Sequence, residues 1–301
     1  MTWFAIAIVS HLVLALVNIA DKFLLEKVIR DDRLYTFLVG SLGTLVWVLS
    51  PFVGLSWPGW QFFLIDIATG ASFIIALLFF FNTLKHGDTS VVVPFIGGAV
   101  PVLVALGAYF FLGDTFTMRE LAALFFLIVG GVIITRMPRK ESYKGIMTFG
   151  IGRAVIAACF FALYFVLSKH IFTNQGFING FILSQAGALF VALWMLTSVS
   201  FRNELAQFIK NFRSRTMYLF FVNQFFGAVG FFGLNYAISL ASVALVNALQ
   251  GVQYAFLLIF GAIISFKWPH IIKEKVTAPL IVEKSIAVFF IAFGLYLIAA
   301  S

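Results

Sequence analysis

Residues 62–83 read FFLIDIATGASFIIALLFFFNT, a run in which Asp66 is the only charged residue. About 20 consecutive apolar residues are what a helix needs to cross the hydrocarbon layer of a bilayer. No water is available there to satisfy backbone groups, so a spanning chain must be a helical bundle or a closed barrel. A barrel strand alternates apolar and polar positions, whereas this run is continuously apolar. The stretch is therefore expected to be a membrane-spanning helix.

The rest of the chain repeats the pattern. Of 301 residues, 62% are hydrophobic and 11% charged, and the mean hydropathy is +1.06. A soluble domain of this length needs far more polar surface. Spans are expected at 3–21, 34–55, 62–83, 89–112, 120–136, 147–170, 177–199, 217–239, 242–266 and 284–300. Pro51, Gly54, Pro58 and Gly59 mark the turn between the second and third, and Gly113-Asp114 ends the fourth. Residues 136–144, RMPRKESYK, are the most polar stretch near the midpoint and divide the chain into halves at 1–140 and 141–301. Within 200–216, Phe201, Leu205, Phe208, Ile209 and Phe212 alternate with charges in a way that suits a short amphipathic helix at the membrane surface. Met1-Thr2-Trp3 carries no basic segment before the first run, so a cleavable signal peptide is not expected. Cys159, inside an apolar run, is read as a small packing residue.

The formal charge of +8 would raise the question of nucleic acid in a soluble protein. Here its distribution removes that partner. Seventeen of the twenty Lys and Arg fall in the loops after spans one, three, five, seven and nine. The other loops hold only Arg119 and Lys169, and Arg153 falls within span six. The positive-inside rule then puts the odd loops in the cytoplasm and both termini outside a plasma membrane, bacterial inner or archaeal.

Internal similarity supports two related halves. A shift of 153 aligns TSVVVP at 89–94 with SVALVN at 242–247, Gly98 with Gly251, and Asn82 with Asn235. A shift of 164 aligns Ala123, Phe125, Phe126 and Gly130 with Ala287, Phe289, Phe290 and Gly294, and a shift of 147 pairs Lys22 with Lys169. Five spans per half is an odd number, so the second copy enters the membrane inverted. The expected fold is thus an all-α polytopic membrane protein of ten transmembrane helices in two inverted five-helix repeats, an arrangement associated with alternating access.

The residues also resemble a known family. Asn18-x-x-x-Lys22 closes span one, residues 88–94 read DTSVVVP, and Pro101 follows in span four. Leu112-Gly113-Asp114 stands where leucine-glycine-glutamate is usual, and Gly130-Gly131 lies in span five. The second half echoes these with ASVA at 241–244 and Gly294. Along its whole length the chain resembles the ten-helix EamA-type members of the drug/metabolite transporter superfamily. It departs from them at Leu16-Val17, where a tryptophan is often found, and at Lys267, the second-half counterpart of Asp114. The resemblance implies cytoplasmic termini, opposite to the loop charges.

No catalytic constellation, phosphate-binding loop or paired cysteines stand out, so neither an enzyme nor a cofactor or metal site is expected. Polar groups inside lipid are the informative ones, because an ionised side chain at the bilayer centre costs at least ~2.5–3.5 kcal/mol. His11 could serve a proton-coupled step or be a neutral histidine bonded between helices. Asn18 and Asn82 could face a cavity or bond across helices. Arg153 could snorkel to the surface or hold a carboxylate or phosphate. Asp66 could be interfacial, a proton acceptor or a cation partner. Gln224, Phe231 and Asn235 form one stripe, and Asn247, Gln250 and Tyr254 another, with Gln253 beside it. Tyr164 lies on the inward face expected for span six. Pro94 and Pro101 could free carbonyls for the cavity or merely kink the helix.

These features point to a secondary transporter, with export of amino acids or similar small metabolites as the leading expectation. It would work as a monomer or homodimer in the lipid bilayer, with a small-molecule substrate. The alternatives are a translocator of lipid-linked or amphipathic compounds, and a non-transporting membrane enzyme or assembly protein.

Overall fold

The computed structural model describes residues 2–29, 31–86, 89–135, 151–210, 214–267 and 278–299. The midpoint segment 136–144 and most of the ninth loop, 268–277, lie outside the described residues. The fold is all-helical, 91% helix, with no strand among the described residues.

The helices are α1 (Thr2–Lys27), α2 (Asp32–Gly43), α3 (Trp60–His86), α4 (Thr89–Gly107), α5 (Met118–Thr135) and α6 (Ile151–Gln175). They are followed by α7 (Phe177–Met195), α8 (Val199–Lys210), α9 (Ser214–Leu240), α10 (Val243–Ala248), α11 (Gln250–Lys267) and α12 (Ala278–Ala299). Local chemistry sets their ends. Asp31 caps α2 by accepting the Leu34 amide at 2.9 Å. Thr117 and Glu120 form a reciprocal capping box before α5, with Thr117 N to Glu120 Oε2 at 2.8 Å and Glu120 N to Thr117 Oγ1 at 3.2 Å. Gly113 and Gly176 take left-handed φ values of 72° and 77° and end the helices that precede them.

Among the described residues, six helical stretches are long and apolar enough to cross a membrane: Thr2–Leu25, Asp32–Val53, Trp60–Thr83, Gly152–Gln175, Phe177–Met195 and Met217–Leu240. Ile96–Leu112, Val243–Leu257 and Ser285–Ile298 are shorter apolar helices. Large apolar side chains face outward all around them, among them Phe52, Phe111, Phe125, Phe190 and Phe289. Outward aromatic and aliphatic surface on this scale suits lipid as the solvent, and the chain is a membrane-embedded helical protein.

Several elements differ from the sequence reading. The first helix runs on to Lys27, so Asp21 sits inside it instead of closing it. The sixth continues past its expected end at 170 to Gln175. The stretch read as a fourth span passes from α4 into a π-helical turn at Ala108–Leu112. The ninth is divided at Leu249 into α10 and α11. The amphipathic segment is helical as α8, but Phe201 is buried and Leu205 and Phe208 pack onto a core cluster with Leu24, Ile29 and Phe220.

Packing rests on small residues, since lipid leaves no hydrophobic drive to bring apolar helices together. The α3 helix packs against α6 and α7, α1 against α9 and α11, α4 against α6, and α5 against α12. Where α3 crosses α7, a Cβ on Gly70 would overlap the Ser184 carbonyl and one on Gly187 the Ile67 carbonyl. Where α5 crosses α12, Gly130 faces the Ala287 carbonyl while Gly294 faces that of Ala123.

Candidate functional site

Halfway along α3, α6 and α9 an aromatic group surrounds a hydrogen-bonded pair. The Phe73 ring lies 4.9 Å from Tyr164 and 4.6 Å from Phe231, and Tyr164 stacks on Phe231 at 5.7 Å with 20° between planes. The Tyr164 hydroxyl donates to Asn235 Oδ1 at 2.8 Å, and Asn235 Nδ2 donates to the Phe231 carbonyl one turn back at 2.9 Å. Both polar side chains are buried. Tyr164 and Asn235, read separately from the sequence, are thus one unit. Phe73, its aromatic neighbour, had no sequence signal among the 39 phenylalanines.

A second polar unit ties α1 to the interrupted helix α10–α11. His11 Nδ1–H donates to Gln253 Oε1 at 2.9 Å, and Nε2 lies 3.5 Å from the Val246 carbonyl. The histidine is buried and bonded between helices, as one of its two sequence readings had it. Gln250, next to the break at Leu249, holds its Oε1 buried with no hydrogen-bond partner. Such a group costs roughly 1–3 kcal/mol unless something pairs with it. Tyr254 is buried with its hydroxyl against Gly97 of α4, in the space a Cβ would occupy. Asn247, by contrast, spends its amide on the Val243 carbonyl of its own helix at 3.0 Å. Pro101 is buried in α4, and the side chain of Pro94 lies outside the described residues.

At the end of the bundle where α1 finishes and α2 and α9 begin, Asp21 accepts from three donors. They are the Tyr35 hydroxyl, Asn223 Nδ2 at 2.6 Å and Gln224 Nε2 at 3.4 Å. Gln224 therefore joins a half-buried carboxylate, not the midplane stripe expected from its spacing with Asn235. Asp21 was missed because the span was taken to end there; an acid three residues beyond Asn18 was the available signal. Asn18 itself is exposed on α1 and joins neither unit. At the same end Asn82 donates to Asp32 at 3.0 Å, and both line a cavity of about 410 Å³ together with Arg153.

The opposite end holds different ties. Gln175 Nε2 donates to both oxygens of the buried Asp66 at 3.2 and 3.3 Å. Asn179 exchanges hydrogen bonds with the backbone of Ser56, both at 3.0 Å, and lies 3.5 Å from Gln175. Ser242 donates to Asp114 at 2.9 Å, and the Lys169 ammonium donates to the Ile238 and Ser239 carbonyls at the end of α9, at 3.1 and 3.3 Å. A cation on the last carbonyls of a helix satisfies orphan acceptors and the negative end of its dipole together.

No protein-family model matches the sequence, and no curated protein is similar to it at a significant level. Its fold recurs among solved structures. One crystal structure superposes with a TM-score of 0.67 at 18% identity, over 99% of this chain and 95% of the other. At that identity the likeness concerns the fold alone.

Proposed function

We propose that the chain is a secondary transporter of small neutral or zwitterionic solutes, an exporter of amino acids or similar metabolites working by alternating access. On this reading it has ten spans in two inverted halves, 1–140 and 141–301, as the resemblance to EamA-type transporters implies. The observation that carries the proposal is a mirrored set of helix contacts. The packing of α1 on α9 is matched by that of α6 on α3, and α1 on α11 by α6 on α4, while α5 pairs reciprocally with α12 through Gly130 and Gly294. Pairing α1 with α6, α3 with α9, α4 with α10–α11 and α5 with α12 maps these three contacts onto one another, whereas the packing of α3 on α7 has only a slight counterpart in α9 on α2. Both α4 and α10–α11 are interrupted, at the π-helical turn and at Leu249. The two interruptions do not coincide: under the 153-residue shift Leu249 corresponds to Ile96, where α4 is continuous, so the break beside Gln250 belongs to the second half alone.

The groups between these helices suit an uncharged or zwitterionic ligand. Tyr164, Asn235 and the unpaired Gln250 Oε1 offer phenol and amide contacts with no fixed charge among them. His11 and Asp66 are the candidates for proton coupling. The basic loops face the cytoplasm and both termini lie outside, which a reporter fused to Ser301 and active on one side of the membrane tests. Flux of a metabolite panel into proteoliposomes under an imposed pH gradient tests the function. Gln250→Ala should lower flux about tenfold, the worth of one buried hydrogen bond to a ligand at ~1.4 kcal/mol, and Tyr164→Phe, whose hydroxyl already bonds Asn235, by less. Asn247→Ala, whose amide is already engaged, should lower it less. Failure of every solute to move, or Gln250→Ala matching wild type, overturns the proposal.

A further inference from the structure

The cavity of about 410 Å³ lies where five helix ends meet. It is walled by Asp32 and Arg33 at the start of α2, Asn82 near the end of α3, Arg153 in the first turn of α6, Trp194 and Met195 at the end of α7, and Ser198 just before α8. The convergence of helix ends puts it at the level of the membrane surface, on the side of the bundle that carries the basic loops. Its inner wall is apolar, with Leu78, Phe79 and Met195.

Two features indicate what fits there. First, the cavity carries an excess of positive charge. Arg33 and Arg153 make no hydrogen bond or ion pair among the described residues, whereas the Asp32 carboxylate is buried and already accepts from Asn82. Two guanidiniums over one acid suit a ligand with a single negative charge and several acceptor oxygens. Second, the rim runs onto lipid-facing surface. Trp194 is 61% exposed and continues an outward stripe on α7 with Phe190 and Leu193 at helical spacing. Tryptophan at this depth is the residue of the headgroup region. A soluble anion would use the arginines and leave the apolar wall and this stripe unused.

We propose that the cavity binds the phosphodiester headgroup of an anionic phospholipid, with Arg33 and Arg153 on the phosphate and Ser198 on the glycerol hydroxyls. Leu78, Phe79 and Met195 take the glycerol backbone, and the acyl chains leave over Trp194 along the outer face of α7. Basic pockets between spanning helices on the cytoplasmic side are where such headgroups are held. The site is separate from the midplane groups at Tyr164, Asn235 and Gln250, so the lipid is a fixed partner and not the transported solute.

Native mass spectrometry of the purified full chain tests this without any transport measurement. Phosphatidylglycerol is added in one arm, phosphatidylcholine in a second, and glycerol phosphate in a third as the soluble form of the same anion. The expected result is retention of phosphatidylglycerol at least about tenfold above the other two, since a charge-assisted pair is worth at least ~1.4 kcal/mol. Arg33→Gln and Arg153→Gln should each cut that retention about tenfold, Arg153→Lys should keep most of it, and Arg202→Gln on α8 should leave it unchanged. Arg33 is exposed, so its variant reads binding even if Arg153→Gln lowers the melting temperature. Equal retention of the two lipids, or arginine variants that bind like wild type, overturns the proposal. Glycerol phosphate binding as well as the lipid overturns it in favour of a soluble anion site.

Discussion

The two ends of this bundle are built from the same materials and behave differently. At the end where α2 and α9 begin, one carboxylate, Asp21, gathers Tyr35, Asn223 and Gln224, and beside it a cavity stays open between helix ends. At the other end the ties are spread out. Asp66 to Gln175, Asn179 to Ser56, Ser242 to Asp114 and Lys169 to the end of α9 join four helices and three loops. One end gathers around the Asp21 hub, with the Asn82–Asp32 bond beside it, and the other is held by several independent bonds. For a protein read as alternating between two openings, this is a bundle closed by many small contacts on one side and poised on one large contact on the other.

The hub can be broken with one substitution, which should have the largest effect. Asp21→Ala strips the acceptor from buried Tyr35 and Asn223 and from half-buried Gln224 and should cost ~3 kcal/mol, read as a fall in the unfolding midpoint in detergent. Asp21→Asn keeps one acceptor oxygen and should cost less than half of that. At the distributed end, Asp66→Ala leaves Gln175 Nε2 without its acceptor while the Asn179–Ser56 exchange persists, for a loss of ~2 kcal/mol. The smallest effect belongs to Ser242→Ala, ~1 kcal/mol, because it removes a single hydrogen bond. Its signature is access rather than stability. In a Cys159→Ser background, Ala241→Cys should react faster with an impermeant maleimide once the Asp114 bond is gone. A loss from Asp66→Ala larger than from Asp21→Ala would reverse the assignment of hub and distributed ends.

Much of the helical framework was legible in the residues, because hydropathy acts locally. The run at 62–83 reads as a spanning helix and is α3, and the amphipathic spacing at 200–216 reads as a helix and is α8. Boundaries failed where a polar residue had a hidden partner. A lone Asp21 is costly in lipid, so a reading by composition ends the helix there; in the structure it is bonded and the helix runs on. Among the candidate site residues, Tyr164, Asn235, Gln250 and Tyr254 were named and are buried or half-buried on inward faces. Their groupings were not foreseen. Gln224 was assigned by spacing to the stripe of Asn235 yet belongs to Asp21, and Asn18 looked inward yet is exposed.

By itself the sequence determined the solvent and the helical class, since each follows from summed properties of neighbouring residues. The tertiary structure alone decided which polar groups meet. His11 and Gln253 are 242 residues apart, Asp21 and Asn223 are 202 apart, and Tyr164 and Asn235 are 71 apart. Whether such a pair bonds depends on the rotation of each helix about its axis and on the depth at which it crosses its neighbour. Those are set by close contacts such as Gly70 against Ser184 and Gly187 against Ile67, where a single methyl group would push the backbones apart.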